Sequence, residues 1–164
     1  MATRPRRPWV ALTSAALLCA TLSSCMMPPP ASERVTDAAR ELNLAARFGR
    51  LDLAASRTHR AARASFIERH AHWGSGLRVV DVELTSLAMQ DEGRAVVQVD
   101  VSWVRADEGT LRRTRLAQLW QEEDGAWLLM RESRAAGDPG LFGEVVYRSA
   151  RSRPDVHFES RTIR

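Results

Sequence analysis

The chain has no lysine. All 24 of its basic residues are arginines, so a lysine Schiff base and a phosphate-loop lysine are both excluded. Cysteine is almost as scarce, with only Cys19 and Cys25. No apolar run reaches the ~20 residues that a membrane-spanning helix needs. Nor is there a Gly-x-Ser-x-Gly elbow, a phosphate loop or a dinucleotide fingerprint. What the 164 residues offer instead is a patterned N-terminus and one domain's worth of regular segments.

The N-terminus is basic and then apolar. Arg4, Arg6 and Arg7 precede the apolar or small residues from Trp9 to Leu22, the layout of a secretory signal. Leu22-Ser23-Ser24-Cys25 then resembles a bacterial lipobox, with a small residue before a cysteine. The resemblance implies cleavage between Ser24 and Cys25 and lipidation of the Cys25 thiol. Residues 1–24 are therefore expected to be a lipoprotein signal peptide, and residues 25–31 a lipidated cysteine with a proline-rich tether. Pro28-Pro29-Pro30 would be extended, at about 3 Å per residue. Met26 after the cysteine, in place of aspartate, points by the same resemblance to the outer membrane, facing the periplasm.

Such processing leaves no free thiol, because Cys19 departs with the leader. A cysteine nucleophile and a thiolate metal site are then excluded from the mature protein. The formal charge also changes. The full chain is +4, and residues 1–24 hold three arginines and no acid, which leaves +1. That is no footprint for nucleic acid. The membrane is an expected partner, reached through the N-terminal lipid.

From Ser32 the periodicity is helical. Val35, Ala38, Ala39, Leu42, Ala45 and Ala46 share one stripe that ends at Gly49. A short helix from Asp52 to Arg57 and a third from a Thr58 cap to about His72 are expected. Then come three acidic turns, Asp91-Glu92-Gly93, Asp107-Glu108-Gly109 and Glu123-Asp124-Gly125, between segments rich in Val, Leu, Trp and Thr. The pattern predicts an antiparallel meander over 78–90, 94–106, 110–122 and 126–135, joined by three-residue loops. The domain is thus expected over 32–136. The extension 137–164 opens on a Gly137-Asp138-Pro139-Gly140 turn and reads either as an added hairpin or as a tail.

Helices first and a curved meander after them resemble the nuclear-transport-factor-2-like cone, shared with polyketide-cyclase-like proteins. The likeness rests on "VTDAARELNLAARFGRLDLAASRT" and on three glycine-closed turns ending in "GAWLLMRES". It implies an α+β fold with N-terminal helices packed on a four-stranded sheet. It also implies either a small-molecule-binding cone or a dimeric scaffold, and only sometimes an enzyme.

Three-residue loops fix a register in which Gln90 pairs with Arg94, Ala106 with Thr110 and Glu122 with Ala126. Odd-numbered residues of all four strands then share the concave face. That face would carry a polar pocket mouth of Asp81, Glu83, Trp103, Arg113, Arg115 and Arg131. Its arginines could clamp an anion, and Asp81 or Glu83 could serve as a base; cross-strand ion pairing is the alternative use of the same residues. Leu84, Leu116, Trp120 and Met130 would form an apolar outer patch suited to a homodimer or to cover by the tail. His70-Ala71-His72 is not a metal pair, because residues two apart on a helix diverge. No metal or cofactor is implied. The function that fits best is a lipid-anchored, non-catalytic domain that binds a small ligand or another envelope protein. The alternatives are a small isomerase, cyclase or hydrolase, and a structural envelope lipoprotein with a basic tail.

Overall fold

The structure, a computed structural model, describes residues 28–144 and Val146. The expected signal peptide, the Ser24–Cys25 cleavage site, the Cys25 lipidation site and the basic tail lie outside the described residues. No described helix is long and apolar enough to cross a membrane.

Three helices come first: α1 (Ala31–Arg47), α2 (Leu51–Ser56) and α3 (Arg60–His70). Four strands follow: β1 (Leu77–Asp91), β2 (Arg94–Arg105), β3 (Leu111–Glu123) and β4 (Ala126–Gly137). They form one antiparallel sheet in chain order. The α+β architecture expected from the sequence is the observed one. The caps differ in detail. Pro30, not Ser32, precedes α1, and the Ser32 carbonyl accepts from the Thr36 hydroxyl inside the helix. At α3 the cap is His59, whose ring accepts the Ala61 N–H, and not Thr58.

The core lies between α1 and the concave face of the sheet. Val35, Ala39 and Leu42 of α1 are fully buried against Val97, Val99, Trp103, Leu116 and Trp120. The alanines of α1 let the helix approach closely, and the tryptophans of β2 and β3 fill the volume left. Burying a large apolar side chain is worth about 1.5–3 kcal/mol, so this layer dominates the stability of the domain.

The expected register fails in two of three hairpins. The turn between β3 and β4 has two residues, Asp124 and Gly125, both left-handed at φ 51° and 80°. This is the geometry that matches strand twist in a tight hairpin, and it pairs Glu123 with Ala126. Between β2 and β3 the pairing is Val104 with Leu111. Each differs from expectation by one residue, which exchanges the two faces. The inward residues of β3 are therefore the even ones, Thr114, Leu116, Gln118 and Trp120, all buried. Near the first hairpin Leu87 does pair with Val97 as expected.

Bulges then reset the facing along the edge strands. In β1 the register shifts at Val80, Thr85 and Gln90, so Leu77, Val79, Val82, Leu84 and Leu87 all turn inward in spite of their mixed parity. In β4 it shifts at Met130 and Ala135. The Met130 bulge exposes Arg131 and buries Glu132. Bulges bend a strand and increase its twist, and here they curl the sheet around the helices.

After β4 the chain turns back as a strap over 138–144. Gly137 makes this turn at φ +85°, and a Cβ there would stand 2.4 Å from the Arg113 carbonyl oxygen. Gly109, at φ +66°, has open space around its Cβ direction. Gly137→Ala should therefore cost about 2–4 kcal/mol in urea unfolding, and Gly109→Ala about 1 kcal/mol. Equal costs would mean that the Gly137 turn is not packed as described.

Candidate functional site

The polar groups of the expected pocket do not meet inside the cone. Trp103 alone of the six is buried there, donating its indole N–H to the Thr114 hydroxyl at 2.9 Å. Arg113 and Arg115 lie on the outer face of β3, the direct result of the one-residue register difference. Arg131 is turned outward by the Met130 bulge. Asp81 and Glu83 are exposed, with side-chain exposures of 64% and 62%, so neither is a desolvated base. Asp81 instead pairs with Arg47 of α1 at 3.2 Å.

Two of those arginines still do something definite outside. Arg115 grips Asp100 with two hydrogen bonds, 2.6 and 2.8 Å, and Arg113 stands 3.6 Å from the same carboxylate and 3.4 Å from Glu83. The arginine stems cover Asp100, which is only 6% exposed on an otherwise open face. The Arg115 hydrogen bonds hold its carboxyl below the ordinary value of 3.8; burial opposes them, and the charges of Arg115 and Arg113 add to them. This is a cross-strand ion cluster, not a pocket.

The expected outer apolar patch is also dispersed. Leu116 and Trp120 are fully buried beneath the helices. Leu84 faces inward and is partly buried against the core, and Met130 is the half-buried bulge residue of β4. These four do not form a common outer surface.

What the cone holds instead is a line of buried polar side chains. Asn43 of α1 and Gln118 of β3 exchange amide hydrogen bonds of 3.1 and 2.9 Å. Gln118 also donates to Glu132 Oε1 at 2.8 Å, and its oxygen receives the Trp120 indole N–H at 3.3 Å. Glu132 Oε2 lies 3.3 Å from His70 Nε2, with side-chain exposures of 0% and 1%. His70 Nδ1 is 2.8 Å from the Phe66 carbonyl oxygen. A carbonyl can only accept, so Nδ1 carries a proton. The contact between Nε2 and Oε2 is that of a buried ion pair, short of hydrogen-bond geometry.

The line is walled by aromatic rings. His70 stacks on Phe66 at 4.0 Å, meets Trp73 at 4.4 Å and touches the edge of Phe142 at 5.5 Å. Phe142 belongs to the strap, which is tied down at several points. Asp138 exchanges hydrogen bonds with the Arg113 backbone, 2.8 and 2.9 Å. The Trp73 indole donates to the Leu141 carbonyl at 3.1 Å, and Glu144 accepts from the Gly140 and Phe142 N–H groups. Leu141 is fully buried, so the strap closes one end of the cone. Clefts of about 230, 270, 340 and 500 Å³ occur on the outside, and none of the four is lined by Gln118, Glu132 or His70. Among the described residues no three His, Cys, Asp or Glu side chains converge as a metal site.

Sequence reasoning set His70 aside as a metal ligand and missed its partners. Gln118 carried a signal, since it alternates with Leu116 and Trp120. Asn43 carried another, since it sits within an Ala/Leu stripe. Glu132 had none, because the bulge that turns it inward is not written in residue parity.

The fold has solved counterparts. A SEC-C motif containing protein from Rhodopseudomonas palustris is 14% identical with a TM-score of 0.55, over 74% of this chain and 88% of that one. A nuclear-transport-factor-2-like protein from Cytophaga hutchinsonii is 14% identical with a TM-score of 0.50, over 62% of this chain and 94% of that one. No family model and no curated protein matches the chain. The domain thus has the nuclear-transport-factor-2-like cone fold.

Because the folded value of Asp100 is depressed, its contribution to stability is present above the ordinary value and lost as pH falls through the depressed one. Asp100→Asn should lower stability at neutral pH and flatten the decline below about pH 4. Chemical unfolding at a series of pH values tests this, and parallel curves for the two proteins would refute it.

Proposed function

We propose that the protein is a lipid-anchored envelope protein whose cone domain binds a small molecule without transforming it. The observation that supports this most is the interior polar line from Asn43 through Gln118 and Glu132, ending in the buried contact of the Glu132 carboxylate with His70. Apolar residues of similar volume would stabilise a core as well or better. A polar line among aromatic walls is the composition of a recognition site, where a few placed polar groups orient a ligand.

The anchoring half of the reading rests on the basic and apolar leader, the Leu22–Cys25 lipobox resemblance and the proline tether. The tether leads directly into α1 at Ala31, so the domain would sit close to the membrane surface. The non-catalytic half rests on the surroundings of the candidate bases. Asp81 and Glu83 are solvated, and the buried pair Glu132 and His70 is packed under three rings and the strap.

Native mass spectrometry of the full-length gene product, extracted from its own envelope in mild detergent, tests both halves together. The expected mass is that of a chain beginning at an acylated Cys25, with an additional small mass lost on denaturation. An unprocessed or unacylated chain would contradict the anchor. A chain that never retains a small mass would contradict the binding cone.

A further inference from the structure

The outer side of the helical layer carries an apolar patch. Leu44 lies in the last turn of α1 and Phe48 caps its end, and they are 47% and 70% exposed. Leu53 of α2 is 39% exposed. The three side chains line one cleft of about 340 Å³ between the two helices, together with Arg50. The Arg47 guanidinium stands 5.4 Å from the centre of the Phe48 ring. The backbone beneath the patch is held in place, with the Phe48 N–H donating to the Leu44 carbonyl at 3.2 Å and the Arg50 N–H to the Ala45 carbonyl at 2.9 Å. Large apolar side chains gathered at one place and rimmed by charge mark an interaction surface, whereas single exposed ones do not.

The N-terminus points to what covers it. Six residues, Cys25 to Pro30, separate the expected acyl anchor from the start of α1 at Ala31. At about 3 Å per residue they reach about 18 Å. The 17 residues of α1, at 1.5 Å each, make a helix of about 25 Å. The tether is shorter than the helix, so the domain stays within one helix length of the bilayer. The inner stripe of α1 is already taken by the sheet. The side left to lie on lipid is the one that bears Leu44 and Phe48. A small patch suffices there, because a short tether gives an effective concentration on the order of millimolar.

We propose that the patch of Leu44, Phe48 and Leu53 is a second membrane contact, and that α1 lies along the bilayer surface. The three apolar side chains enter the boundary between headgroups and acyl chains, and Arg47 and Arg50 stay at headgroup level with their stems along the apolar surface. This rests on the lipid-anchored half of the reading above and adds to it one fixed orientation of the domain. The acyl chain alone would leave the domain free to turn about its tether. With the patch seated, the outer face of the sheet, which carries the Arg115–Asp100 cluster, points away from the membrane.

The test uses the full-length chain, processed in its own envelope and weighed to establish its acylation. It is reconstituted into phosphatidylcholine–phosphatidylglycerol vesicles with and without bromine on the acyl chains, where bromine quenches tryptophan at short range. Two exposed positions are compared as Phe48→Trp and Leu111→Trp. Leu111 is 64% exposed at the start of β3 and alternates with the inward residues of that strand, so it lies on the side of the sheet away from α1. Trp73, Trp103, Trp120 and Trp127 are at most 5% exposed and give a common background. The emission added by Phe48→Trp should be lost in brominated vesicles, and that added by Leu111→Trp should be kept. Equal quenching of the two, or quenching of Leu111→Trp alone, would overturn the orientation. No quenching of Phe48→Trp in an acylated chain would overturn the membrane contact and leave the anchor standing. If that unquenched emission is also shifted to the blue, a second copy of the chain covers the patch in place of lipid. A chain without the acyl mass would overturn the anchor, and the contact with it. Should Phe48→Trp fail to fold by near-ultraviolet circular dichroism, Leu53→Trp takes its place with the same expectation.

Discussion

The structure depends on one amide. Gln118 lies in the middle of β3 with no exposure, and its two terminal atoms face Asn43 of α1, Glu132 of β4 and the indole of Trp120. The Glu132 carboxylate stands in turn against His70 of α3. One helix, two strands and a second helix are thereby referred to a common point. Apolar contact holds these layers together without direction, whereas the amide pair requires one register. A slip of a single residue in β3 would send Gln118 to solvent and leave Asn43 and Glu132 buried without it. Buried polar groups penalise wrong arrangements more than they reward the right one.

That directional constraint explains why the bulge at Met130 matters. Without it, the alternation that buries Trp127 and Leu129 would continue to Arg131 and bring a guanidinium into the aromatic wall. With it, Arg131 is outside and Glu132 completes the line. The outer face meanwhile has its own directional contact, the Arg115 fork on Asp100. The sheet is therefore pinned from both sides, and the strap, tied through Asp138 to Arg113, is attached to the same strand.

Much of this architecture was legible in the sequence. The helical stripe of α1 from Val35 to Ala46, the four strands and the order of elements follow from residue periodicity and from glycine-closed acidic turns. The site was not legible, for a specific reason. Facing in a strand depends on the register its loop sets, and the connection over 106–110 pairs Val104 with Leu111, one residue away from the register of a three-residue loop. One difference of this kind moved Arg113 and Arg115 outside and Leu116 and Trp120 inside. Bulges at Val80, Thr85 and Met130 then changed facing within single strands. The apolar residues tolerate such shifts in a sequence reading, because Val and Leu occur on both faces of β1. Polar positions do not, and Gln118 between Leu116 and Trp120 was the one position where alternation alone pointed to the interior line.

The most direct measurement is a double-mutant cycle on Asn43 and Gln118, each changed to leucine singly and together, with stability read from urea unfolding. If the amide pair sets the register, the two single changes are strongly non-additive, with a coupling of about 1 kcal/mol or more. Additive effects, with coupling below about 0.5 kcal/mol, would show that apolar packing alone positions α1 on the sheet and would contradict the account.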